Sequence, residues 1–132
     1  MFPVETKIML VDDTTTMRKL VRKCLNDLGF MKTVEANDGA TAWPLIEQAK
    51  MEGAPFQLII SDWEMPKMKG IDLLRKVRAD AAMKTTPFIL LTAEAEAAQV
   101  KEALTAGVNS YIVKPFTPQA FAEKLKAVAN KK

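Results

Sequence analysis

Four short runs, Ile8 to Val11, Phe56 to Ile60, Phe88 to Leu91 and Tyr111 to Val113, are apolar at nearly every position, and they leave this chain few ways to fold. A strand with one wet face alternates apolar and polar residues, whereas a strand apolar throughout is covered on both faces. Between the runs the apolar residues change period. Met17, Leu20, Val21, Cys24, Leu25 and Leu28 recur at spacings of three and four and predict a helix from about Thr15 to Leu28, closed by Gly29. A weaker strand at Thr33 to Ala36 leads through Asn37-Asp38-Gly39, a turn signal, to a helix carrying Ala42, Leu45, Ile46 and Ala49. Pro44 is awkward inside that helix and requires either a late start or an irregular first turn. Ile71, Leu74 and Val77 mark a third helix, and Ala95 to Ala106 a fourth, with Val100, Ala103 and Leu104 on its stripe and Gly107 ending it. Thr117 caps a fifth, with Pro118 at its first position and Phe121, Leu125 and Val128 as its buried face. Five strands alternating with five helices make an α/β domain, a parallel sheet wrapped on both sides.

The 132 residues suffice for one domain with a real core. With 48% of residues apolar and 27% charged, the balance is that of a globular protein rather than a disordered tail. No stretch is long and apolar enough to cross a bilayer, and Met1 to Lys7 lacks the pattern of a secretory signal, so a cytoplasmic protein without membrane insertion is expected. The chain contains no histidine, which excludes His-based metal sites and His general bases. Its lone cysteine, Cys24, has no internal disulfide partner and falls on an apolar stripe, where it reads as a small core residue. The net charge of +3 is modest and dispersed. Its tightest group, Arg18, Lys19, Arg22 and Lys23, reads as one solvated helix face, and no nucleic-acid partner is expected.

In such folds ligands bind outside the carboxyl ends of the strands, and right-handed crossovers put all those ends on one edge. Asp12 and Asp13 then leave the first strand, Asp62 the third, Thr92 the fourth and Lys114 the fifth. Any one of them alone reads as a cap or a loop residue. Together they concentrate acids at two exits with a lysine opposite. Two carboxylates about 4 Å apart repel by ~4 kcal/mol at an effective dielectric near 20, so a cation is expected among them. Oxygen ligands without His or Cys favour a hard ion, and Mg²⁺, which needs only one or two carboxylates plus a phosphoryl oxygen, suits the set. One carboxylate is then left as a nucleophile toward phosphorus. Mg²⁺, the Lys114 ammonium and the Thr92 hydroxyl can each neutralise one equatorial oxygen of the transferring group.

The ordered set VDD, SDWEMPKMKG, LLTAEA and YIVKPFT resembles the receiver domains of bacterial response regulators, and among them the single-domain chemotaxis regulators. The resemblance covers nearly the whole chain and implies one flavodoxin-like receiver domain over residues 1–132, strand order 2-1-3-4-5, with no attached effector domain. It implies that Asp62 accepts the phosphoryl group. Asp13, Asp62 and the backbone carbonyl of Glu64 would bind Mg²⁺ directly, and Asp12 mainly through water. Lys114 would contact the phosphoryl group, and its bond to Pro115 would be cis. Thr92 and Tyr111 would be the switch pair, Thr92 moving toward the phosphoryl group and Tyr111 rotating inward.

The function implied is a phosphorylation-activated switch without turnover chemistry on outside substrates. Its partners would be a histidine kinase, an output protein expected to be a flagellar motor switch component, and a possible phosphatase, with the chain itself monomeric. Glu94 and Glu96 leave the charge preference of the output partner open, and Glu64 and Glu94 flank the acceptor where water would attack. A phosphorelay intermediate passing its phosphoryl group to another histidine is the second reading. A Mg²⁺-dependent phosphatase with an aspartyl intermediate fits less well, because it needs a cap over the site. A flavin carrier fits least, lacking a phosphate-binding loop after the first strand.

Overall fold

The computed structural model describes residues 2–93 and 97–130. Strands β1 (Ile8–Val11), β2 (Thr33–Ala36), β3 (Leu58–Asp62), β4 (Phe88–Thr92) and β5 (Ser110–Val113) alternate with helices α1 (Thr15–Asp27), α2 (Gly39–Met51), α3 (Gly70–Ala79), α4 (Ala97–Ala106) and α5 (Pro118–Asn130). All strand pairs are parallel, in the order β2-β1-β3-β4-β5, as the resemblance implies.

The period of two along each strand divides the interior into two cores. Met9, Val11, Ile59 and Leu90 face a layer that includes Ile46 of α2, Ile71, Leu74 and Val77 of α3 and Ala103 of α4. Ile8, Leu10, Leu58, Ile60, Ile89 and Leu91 face Val21 and Leu25 of α1 and Phe121, Leu125 and Val128 of α5. Full burial of each large side chain is worth roughly 1.5–3 kcal/mol, so both layers hold the central strands firmly.

Local chemistry sets the boundaries. Asp38 caps α2 by accepting a hydrogen bond from the Thr41 amide at 2.8 Å. Thr117 caps α5 as expected, its hydroxyl accepting from the Ala120 amide at 3.0 Å with Pro118 in the first position. Gly29 and Gly107 close α1 and α4 with φ of 97° and 94°, a conformation other residues adopt only under strain.

Several expectations need correction. Helix α2 starts on time at Gly39, with Pro44 inside its second turn. The proline removes the bond to the carbonyl of Ala40, and both residues lie on the exposed side where water can take that group. Strand β3 begins at Leu58 rather than Phe56, although the Gln57 amide still donates to the Lys7 carbonyl at 2.8 Å and its side chain accepts from the Lys7 amide at 3.0 Å. Leu20 and Leu104 leave the buried stripes, being 38% and 61% exposed. The outer strands are not covered on both faces: Thr33, Val34 and Glu35 are half-buried, and Val113 is 40% exposed. Both are edge strands, each with one neighbour.

Arg78 ties the lower end of the sheet together. Its guanidinium donates to the carbonyls of Gly107 at 2.9 Å and Thr86 at 2.7 Å, and to Asn109 Oδ1 at 2.8 Å. Asn109 Oδ1 also accepts from the Phe88 amide at 2.8 Å, which joins the starts of β4 and β5.

Candidate functional site

The carboxyl ends of β1, β3, β4 and β5 meet on one edge, and there the side chains expected from the sequence converge. In the β1–β3 register Val11 stands beside Ser61, so the residues that follow, Asp12 and Asp62, emerge side by side. Asp12, Asp13 and Asp62 each offer a carboxylate oxygen, all within 4.8 Å of one another. Lys114 reaches this group from β5, its Nζ 2.9 Å from Asp62 Oδ1. Thr92 ends β4 beside Val113, is buried, and its carbonyl accepts from the Lys114 amide at 2.7 Å. The Lys114–Pro115 bond is cis.

The two acids of the first exit are held differently. Asp12 is 1% exposed, and its Oδ1 accepts from both the amide and the hydroxyl of Thr14 at 2.9 Å. Thr14 therefore gives its hydroxyl to Asp12 and makes no side-chain cap for α1. Asp12 Oδ2 is buried with no hydrogen-bond donor among the described residues. An orphaned carboxylate oxygen is costly unless a cation is near. Asp13, one residue on, is exposed to solvent. The orphaned atom, the neighbouring oxygens and the absence of nitrogen or sulfur donors fit a hard divalent cation such as Mg²⁺.

Burial raises the Asp62 carboxyl above the usual range. The Lys114 hydrogen bond opposes that rise, and the charges of Asp12 and Asp13 add to it. Burial is thus the main cause of the rise, and the repulsion anticipated for clustered acids is a smaller addition to it.

The segment after Asp62 is tightly folded. Trp63 is buried, donates its amide to Leu91 at 2.8 Å and accepts from the Gly70 amide at 2.9 Å. A Cβ on Gly70 would collide with the Asp62 carbonyl oxygen, so glycine is required where α3 starts. Lys67 has φ of 67°, which lets the loop reverse between Pro66 and Met68. The Glu64 side chain points to solvent, 3.9 Å from Lys69. Tyr111 is half-buried on β5, with Lys124 Nζ 5.3 Å from its ring centroid. It shares a small cavity with Trp63, Thr92, Gln99, Val100 and Ala103. Glu94 and Glu96 lie outside the described residues.

Sequence reasoning missed Arg18. Read as part of a solvated face, it instead donates Nη1 to the Asp12 carbonyl at 2.6 Å and Nε to Glu35 at 3.1 Å. Arg22 joins the same glutamate at 3.0 Å. A half-buried glutamate on an edge strand was the available signal, since such a charge needs a partner.

Three comparisons agree with this geometry. Residues 8–126 match the model of the response regulator receiver domain. The chain is 48% identical over 122 residues to the chemotaxis protein CheY of Pseudomonas aeruginosa, covering 92% of this chain and 94% of that protein. It is 50% identical over 119 residues to CheY-3 of Vibrio cholerae, covering 90% and 88%. Among solved structures, CheY4 of Vibrio cholerae superposes with a TM-score of 0.82 at 33% identity, over 94% of this chain and 98% of that one. With its strand order, its acidic edge and these likenesses, the chain belongs to the response regulator receiver domain family and is homologous to the CheY chemotaxis regulators.

Proposed function

We propose that this protein is a phosphorylation-activated signalling switch in which Asp62 takes a phosphoryl group from a histidine kinase. What carries the reading is the grouping of three carboxylates within 4.8 Å of one another, with the Lys114 ammonium 2.9 Å from Asp62.

An Asp62 oxygen attacks phosphorus in line, the bond from phosphorus to the kinase histidine breaks, and the imidazole leaves. Asp12, Asp13, Asp62 and the Glu64 carbonyl would hold Mg²⁺, which when bound neutralises charge on the transferring group. Asp12 does so from a fixed position, because Thr14 holds one carboxylate oxygen and Arg18 the backbone carbonyl. Lys114 exchanges the Asp62 oxygen for a phosphoryl oxygen without leaving the site. The Thr92 hydroxyl donates to another. Because that bond exists in one state only, the packing around Thr92 and Tyr111 is biased by phosphorylation, and a partner that reads this surface binds differently in the two states.

The relatives are named chemotaxis proteins. That supports a cytoplasmic regulator of a flagellar motor switch component, acting as a monomeric receiver domain, with a phosphatase as a further partner. The decisive experiment is incubation with Mg²⁺ and acetyl phosphate followed by intact-mass and peptide analysis. A labile adduct of one phosphoryl group on Asp62, absent from Asp62→Asn, is the expected result. Its absence from the parent protein refutes the proposal. Capture of histidine phosphotransfer proteins rather than motor components by the beryllofluoride-loaded protein would replace the output with a phosphorelay.

A further inference from the structure

Burial and a carboxylate bond to Thr14 fix Asp12, but Asp13 is exposed, so burial does not set the direction in which its side chain points. It is nevertheless one of three carboxylates gathered within 4.8 Å of one another. The peptide bond before it supplies the constraint. The Asp12 carbonyl and the Asp13 amide share one rigid plane, and a carbonyl held in place fixes where the Asp13 Cα leaves that plane. Asp12 is fastened toward β2 on both sides: its amide donates to the Ala36 carbonyl at 3.1 Å, and its carbonyl accepts from Arg18 Nη1 at 2.6 Å. Arg18 is itself held at two further points. Its Nε donates to Glu35 at 3.1 Å and its Nη2 to the Thr15 hydroxyl at 3.3 Å, with only 16% of the side chain exposed. Each guanidinium nitrogen thus has an acceptor, a fork that an ammonium cannot reproduce.

We propose that Arg18, held by Glu35, is a positioning residue that aims the Asp13 carboxylate at the cation by locking the Asp12–Asp13 peptide. The inference rests on the reading that the acidic group binds Mg²⁺, and it makes edge strand β2 a determinant of metal affinity. With the peptide unlocked, Asp13 spends time in orientations that do not face the ion, and ordering it again subtracts from binding. Positioning and charge act in opposite directions here. A cation beside the site repels Mg²⁺, so on charge alone its removal tightens binding, whereas loss of the lock weakens it.

Mg²⁺ is titrated into the parent, Arg18→Met, Arg18→Lys and Arg22→Gln, all carrying Trp43→Phe, with Trp63 fluorescence as the readout. The ¹⁵N order parameter of the Asp13 amide is measured in each metal-free protein. Both Arg18 variants are expected to bind Mg²⁺ about tenfold more weakly than the parent, the scale for losing a group that orients a metal ligand. The Asp13 order parameter should fall below the value of about 0.85 typical of rigid backbone. Arg22→Gln removes the same charge and the other partner of Glu35, and should bind within about twofold of the parent. Arg18→Lys keeps the test standing if Arg18→Met fails to fold. Equal or tighter binding in an Arg18 variant, an unchanged Asp13 order parameter, or an equal loss in Arg22→Gln overturns the role of Arg18 and leaves the metal site intact. A parent whose fluorescence and Tm do not respond to Mg²⁺ refutes the metal site, and the inference with it.

Discussion

Lys114 and Asp62 face each other at 2.9 Å from strands that never pair, because β4 runs between them. The side chains are 19% and 7% exposed, so little water screens the contact. An ammonium held this way is aimed at whatever negative charge appears on Asp62. Lys114→Met is expected to slow adduct formation from acetyl phosphate about 100-fold, the scale for losing one preorganised donor. Stopped-flow fluorescence of the neighbouring Trp63, in a Trp43→Phe background, checks it.

Asp62 also leaves a mark on stability. Its carboxyl lies above the usual range, so the folded protein binds that proton more tightly than the unfolded chain does. The resulting stabilisation is present at pH below the ordinary carboxylate value and is lost as pH rises through the raised one. At pH 7 without metal, Asp62→Asn removes a buried charge and is expected to raise Tm by about 3 °C, on the order of 1 kcal/mol, with no gain below about pH 3. Calorimetry across pH tests both the size and the direction.

Magnesium should reverse that ranking. On the proposed reading, an ion bound at this acidic group would stabilise the folded state by about 2.7 kcal/mol when present at a hundred times its dissociation constant. The parent protein is expected to gain Tm with added Mg²⁺, and Asp13→Asn and Asp62→Asn to gain little. Equal shifts in all three would show that the ion binds elsewhere.

Gly70 and Gly53 form a controlled pair. An added methyl at Gly70 meets the Asp62 carbonyl, whereas Gly53, at φ of 77°, has no atom within 4 Å of an added Cβ. Gly70→Ala is expected to cost roughly 2–4 kcal/mol in urea unfolding and to disturb the Mg²⁺ response. Gly53→Ala should cost about 1 kcal/mol, the penalty of a left-handed backbone alone, and leave the response unchanged.

Arg78 is half withdrawn from water, which lowers its pKa, and it holds three acceptors at once. Arg78→Leu is expected to destabilise by about 2–4 kcal/mol and to speed amide exchange at Phe88 and Asn109. Arg78→Lys should rescue little, since an ammonium lacks the planar fork that spans them.

The fold was readable because its signals are local: a period of two or continuous apolar runs for strands, three and four for helices, and one hand for the crossovers. Each strand exit follows directly, which is why the sequence alone brings Asp12, Asp13, Asp62, Thr92 and Lys114 together. What escaped depends on neighbours distant in sequence. Arg18 looks solvated on its own helix, and only the pairing of β1 with β2 brings Glu35 within its reach. Leu104 satisfies the stripe of α4 yet faces outward, since the helix is rotated by what it packs against rather than by its own pattern.

The sheet order separates two mechanical duties. β3 has a partner on each side and an apolar layer above and below, so Asp62, the proposed phosphoryl acceptor, ends a strand held from every side. β5 has one neighbour, with Tyr111 half-buried and Val113 open to the outside. On the proposed reading, reaction geometry and message would thereby be insulated from one another: substitutions along the border strand would redirect what the protein speaks to while the anvil on which phosphorus is struck stays in place.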